Sequence, residues 1–130
     1  MIFDTSYSDK ETKRQIDNAV GKSYTFKERW KMGGIGSPRM SIAEISNEYK
    51  QYMKPDHYVT NANIELRPKG ILVHFRHKLQ AYTWVMPYST LKIITTELLK
   101  IESEGKFITF KQGVNQKFVE KIEALRAQLK

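Results

Sequence analysis

Hydrophobic residues change their spacing partway along the chain. From about residue 58 they alternate with polar ones, the period of strands that bury one face. Ile64 and Leu66 alternate with Glu65 and Arg67, and Arg67-Pro68-Lys69-Gly70 fits a tight turn with proline second and glycine fourth. In the strand that follows, Ile71, Val73, Phe75, His77 and Leu79 share a core face, while Leu72, His74, Arg76 and Lys78 share the other. A third strand, 81–86, sets Tyr82, Trp84 and Met86 against Thr83 and Val85, and Pro87 ends it. Residues 91–95, 98–102 and 107–111 read as further strands, the last two joined by a turn at Ser103-Glu104-Gly105-Lys106. Short strands with short turns predict an antiparallel meander over 58–112. Behind an Asn115 cap, Phe118, Ile122, Leu125 and Leu129 form an apolar stripe opposite Glu120, Lys121, Glu123 and Arg126. That pattern predicts an amphipathic helix over 114–130, docked on the sheet.

The first 57 residues carry helical spacing instead. Ser8 and Glu11 match a capping box, Ile16, Ala19 and Val20 make a thin stripe, and Gly21 is a stop, so a surface helix is predicted over 8–20. Residues 23–30 read as a strand with Tyr24 and Phe26 on one face. Residues 31–39 hold three glycines and a proline and predict a flexible loop or lid. They lack the third glycine of a dinucleotide fingerprint and the Gly-Lys-Ser/Thr ending of a P-loop. Ser41 and Glu44 match a second capping box; Ile42, Ile45, Tyr49 and Tyr52 or Met53 then follow at three- and four-residue steps, predicting a helix over 40–54 stopped by Pro55. The whole chain, 1–130, reads as one α+β domain.

A length of 130 residues, 40% of them hydrophobic, suits one compact core and excludes a disordered chain. With no cysteine there is no disulfide framework, thiolate metal site or thiol nucleophile. The first ten residues lack the basic start and apolar stretch of a signal peptide, and the longest nearly uncharged stretch, 79–91, is too short to cross a bilayer, so a cytoplasmic protein is expected. The net charge is +8, from 22 basic and 14 acidic residues, and it is spread evenly along the chain. Even spreading points to a solvated basic surface unless the fold gathers it on one side.

Little in the sequence points to catalysis. His74 and His77 stand three apart on a strand, so they face opposite sides and do not share a metal; His77 reads as a hydrogen-bonded core residue, His74 as a surface one and His57 as part of a turn. No Gly-x-Ser-x-Gly elbow is present, and Glu65, Glu97, Glu102 and Glu104 sit at solvated strand or turn positions. No enzyme activity, cofactor or metal is expected. Two clusters mix cations with aromatics: Lys22 to Lys31, and the strand pair carrying Arg76, Lys78, Tyr82 and Trp84. Arg76, Lys78, Tyr82, Trp84, Lys92 and Lys111 are the candidate binding residues, since exposed aromatics stack bases while cations hold phosphates. The alternative is that the aromatics fill a core.

Arg67-Pro68-Lys69-Gly70-Ile71-Leu72-Val73 and Trp84-Val85-Met86-Pro87-Tyr88-Ser89-Thr90-Leu91-Lys92-Ile93 carry a family resemblance. With the strand order around them and the terminal helix, the segment from residue 58 onward resembles the pleckstrin-homology-like domains of bacteria. The resemblance implies a bent antiparallel sheet, or half barrel, capped by the C-terminal helix, and a non-enzymatic scaffold that binds phosphoinositides, peptides or protein chains. A full barrel of this type has seven strands and six follow residue 58, so 23–30 supplies the seventh or the barrel is incomplete. The eukaryotic lipid-binding pattern is matched poorly, because Lys69 sits inside the turn and Arg76-His77-Lys78 comes at the far end of the next strand. The expected role is an intracellular interaction module that binds a protein segment or its own copies, with unpaired sheet edges open to strand addition. The alternative is binding of nucleic acid or an anionic lipid headgroup through a basic, aromatic sheet face.

Overall fold

The computed structural model describes residues 1–52, 60–77, 79–111 and 116–129; Pro55, His57, Lys78 and Asn115 lie outside them. The six strands expected after residue 58 stand where alternation places them. They are β3 (Asn61–Arg67), β4 (Gly70–His77), β5 (Gln80–Pro87), β6 (Leu91–Thr95), β7 (Leu99–Ser103) and β8 (Lys106–Phe110), followed by helix α3 (Gln116–Ala127). Two more come from the N-terminal part, β1 (Ile2–Asp4) and β2 (Met40–Ile45), along with helices α1 (Lys10–Val20) and α2 (Phe26–Met32). All eight strands form one antiparallel sheet in the order β1-β5-β4-β3-β2-β8-β7-β6, open at β1 and β6. Residues 58–112 are therefore not the single meander expected: β5 and β6 do not pair, and β2 stands between the sets β3-β4-β5 and β6-β7-β8. The hairpin turn at Pro68-Lys69 and the turn at Glu104-Gly105, where both residues take positive φ, set two of its registers.

Three expectations for the N-terminal part need correction. Residues 40–52 are not the expected helix: Met40–Ile45 is β2, and Asn47–Tyr52 is a 3-10 turn, while residues 53 and 54 lie outside the described residues. The register of β2 against β8 shifts between Ile42 and Glu44, so the buried residues fall at Ile42 and Ile45, three apart, and imitate a helical step. The Ser41 hydroxyl donates to Asn61 Oδ1 at 3.2 Å instead of capping a helix. Residues 23–30 are not a strand either, because Thr25 and Glu28 form a complete capping box that starts α2. In α1 the cap is Asp9, one residue beyond the expected serine, and its carboxylate accepts from the Glu11 N–H.

β2 joins the two halves of the sheet. Its first residues, Met40 and Ser41, pair with β3, and from Ile42 it pairs with β8. Ahead of it, the glycine-rich loop is held along β3: Gly36 bridges Glu65, Ser37 Oγ accepts from the Ile64 N–H at 2.8 Å, and Ile35 O accepts from the Leu66 N–H at 2.8 Å. In a flat sheet the outer strands would stand about 34 Å apart. Here one continuous apolar cluster draws side chains from strands at both ends, including Val73, Trp84, Leu91, Ile101 and Phe110, so the sheet curls around it. Phe118 and Ile122 of α3 fill the remaining opening, and Arg126 Nη1 donates to Leu91 O at 2.9 Å.

The opposite, or back, face of the sheet carries a second, smaller apolar cluster. Ile16 and Val20 of α1 cover Leu72 and Val85, so α1 is docked and not merely superficial. Full burial of each such side chain is worth roughly 1.5–3 kcal/mol. Leu79, placed by alternation on the core face, is 91% exposed because β4 has already ended at His77. Among the described residues no helix is long and apolar enough to cross a membrane.

Candidate functional site

Register decides which side chains meet on the back face. Across β3, β4, β5 and β1, Asn63, His74, Thr83 and Phe3 form one row. Two residues towards the hairpin, Glu65, Leu72 and Val85 form the row beneath α1. Two residues the other way, Arg76 pairs with Ala81, with Asn61 and Thr5 beside them on the outer strands. No residue of α1 lines the surface at these last positions. A groove of about 330 Å³ opens there, lined by Thr5, Asn61, Asn63, His74, Arg76 and Ala81, by Ala62, Phe75 and Tyr82 from the row between, and by Arg39 from the loop ahead of β2. The small Ala81 side chain leaves the hollow between its larger neighbours.

One wall of the groove is a hydrogen-bonded chain that runs beneath α1. Thr5 Oγ1 and Thr83 Oγ1 lie 2.9 Å apart, Thr83 Oγ1 lies 3.0 Å from His74 Nδ1, and His74 Nε2 donates to Glu65 Oε1 at 2.9 Å. Arg67 Nε donates to Glu65 Oε2 at 2.7 Å, while its Nη1 reaches Asp17 Oδ1 at 3.1 Å and Gly21 O at 2.9 Å. Burial alone would raise the Glu65 carboxyl, but the hydrogen bonds from His74 and Arg67 outweigh it and hold it down to about 2. An ionised carboxylate only accepts, so Nε2 carries the His74 proton and, in the neutral ring, Nδ1 accepts the Thr83 hydroxyl. Both His74 nitrogens are thereby engaged, and the ring shapes the wall without offering a donor.

The donors facing solvent are others. Arg39 and Arg76 are exposed, and neither makes an ion pair among the described residues. Asn61 accepts from the Ser41 hydroxyl through Oδ1, which leaves its amide N–H groups without a partner among the described residues. Two guanidiniums with neighbouring amides can bracket an anion such as a carboxylate or phosphate.

Of the six residues singled out in the sequence, Arg76 and Tyr82 line this groove. Trp84 does not: it is 1% exposed, pairs with Val73 and lies in the main core, so it offers no stacking surface. Cross-strand partners share a face, which puts the aromatic row Tyr82–Trp84 opposite the row of His74 and Arg76. Lys92 is on β6, separated from β4 by four strands, and Lys111 follows β8; neither lines the groove. Lys78 is outside the described residues. His77 is half-buried, and its shielded Nδ1 has no hydrogen-bond partner among the described residues, contrary to the satisfied core histidine expected. Sequence reading missed Arg39, Asn61 and Asn63. The signal for the two asparagines was present, since the Pro68-Lys69 turn sets Asn63 opposite His74 and so brings Asn61 near Arg76. Arg39 left no such signal, because its approach depends on how the loop lies along β3. Comparison of the chain with family models, curated proteins and solved structures yields no match.

Proposed function

We propose that this chain is a non-enzymatic interaction module, built on a pleckstrin-homology-like sheet, that takes up an acidic segment of a protein partner in its back-face groove. The bent antiparallel sheet with a terminal helix over its core supports the fold reading. The functional reading rests on one contrast between arginines. Arg67 is buried and paired with both Glu65 and Asp17, whereas Arg39 and Arg76 stand at the groove with no ion pair among the described residues. A guanidinium holds a carboxylate by two parallel N–H bonds, and two of them set the position of one acidic side chain. The groove is the size of a side-chain or small-ligand site and not a track for a nucleic-acid strand, and the sheet tryptophan that would stack bases is in the core.

The test is fluorescence anisotropy with a labelled octapeptide rich in Glu and Asp and its Gln/Asn counterpart. The acidic peptide is expected to bind, the neutral one not, and Arg39→Ala or Arg76→Ala to weaken binding about 10- to 100-fold, the worth of one charge-assisted pair. Equal binding of both peptides, or indifference to the two arginine changes, overturns the reading.

A further inference from the structure

Helix α2 is amphipathic in the wrong direction for a helix resting on a core. Its only half-buried residue is Met32, while Phe26 and Trp30 are 84% and 79% exposed. Four residues apart, the two aromatics share one side of the helix, and Met32 lies on the other. A pair of large apolar side chains held out by a capped helix marks a contact surface.

The surroundings say what kind. Lys22, Lys27, Arg29 and Lys31 stand on or beside α2, all exposed, and the one acidic residue, Glu28, is turned back onto the Thr25 N–H at 2.9 Å as part of the cap. Arg29 Nε also donates inward, to Tyr24 O. A ring of cations around two outward aromatics complements an anionic, deformable surface. The two rings could bury roughly 150–250 Å² each, well short of the ~800 Å² per partner of a stable protein interface, but enough to seat a helix at a headgroup boundary when charge assists. We propose that α2 docks this protein on anionic lipid bilayers, with Phe26 and Trp30 entering the headgroup region and Lys27 and Lys31 facing the lipid charges. This surface is separate from the groove.

The chain has two tryptophans, one exposed and one sealed in the core, so emission reports on Trp30. Vesicles of phosphatidylcholine with about one third phosphatidylserine are expected to shift the emission to the blue and to co-sediment the protein. Pure phosphatidylcholine vesicles are expected to do neither, and about 0.5 M NaCl to reverse both effects. Trp30→Ala should abolish the shift, and Phe26→Ala with Trp30→Ala, or Lys27→Glu with Lys31→Glu, should lower co-sedimentation at least tenfold while circular dichroism stays unchanged, since these side chains are exposed. Arg39→Ala with Arg76→Ala should leave vesicle binding intact. The proposal is overturned if neither vesicle binds, if both bind alike, or if the groove variant loses binding. It is overturned equally by a blue shift that grows with protein concentration in the absence of lipid, which would make α2 a contact between copies of the chain.

Discussion

Two ends of the same sheet face are finished differently. Towards the hairpin, Leu72 and Val85 are sealed by Ile16 and Val20, and the polar groups there are consumed: Arg67 serves Glu65, Asp17 and Gly21 O together. Beyond the end of α1 the same strands carry Asn63, His74, Arg76 and Asn61, with donors left over. The covered end spends its charges on holding a helix, and the open end leaves Arg76 exposed, with no ion pair among the described residues. His74 belongs to both, bonded to Glu65 on one side and to Thr83 at the groove wall on the other.

Substitutions should separate the two ends by what they damage. Arg67→Ala is expected to have the largest effect, about 3–5 kcal/mol by chemical denaturation, because it leaves Glu65 on the sheet and Asp17 on α1 without the guanidinium that joins them. Acid should reach the same network. The Glu65 carboxyl is held down to about 2 in the folded chain against an ordinary value of 4.5, so its contribution is complete well above pH 4.5 and is lost as the pH falls from there towards 2. A shift of that size is worth roughly 3 kcal/mol, and Glu65→Gln should flatten this part of the stability–pH curve. Gly70→Ala comes next, at about 1–3 kcal/mol: a Cβ there would stand 2.5 Å from Met86 O and from Val20 Cγ1, so sheet and α1 would have to part. Arg76→Ala should change stability by no more than about 0.5 kcal/mol, since it is exposed and makes no ion pair among the described residues, yet weaken binding of the acidic peptide. A stability loss from Arg76→Ala as large as that from Arg67→Ala would erase the distinction between the ends.

The candidate site was legible in part. Arg76 was visible as the cation of a strand's outer face. Tyr82 and Trp84 alternate onto the other face with Met86: pairing with Val73 buries Trp84 in the core, while Tyr82, paired with Phe75 near the strand's end, still borders the groove. The reading of 40–54 failed for a local reason, because a bulge in β2 gave a strand the three-residue step of a helix. The reading of 23–30 failed because Tyr24 and Phe26 look like one strand face, while the capping box of Thr25 and Glu28 made a helix that sends Phe26 into solvent.

Alternation and turn residues by themselves determined the six strands from β3 to β8, the hairpin pairings within β3-β4-β5 and within β6-β7-β8, and the terminal helix, because a two-residue period with fixed turns sets the local register. That β2 stands between the two sets, so that they do not form one meander, was decided by the tertiary structure. Alternation also determined which strand residues face away from the core. Only the tertiary structure decided that α1 covers one end of the back face and stops short of the other, that the loop before β2 delivers Arg39 to the open end, and that α2 turns its aromatics outward. Those outcomes depend on contacts between segments far apart in the chain, and no local period records where a helix comes to rest on a sheet.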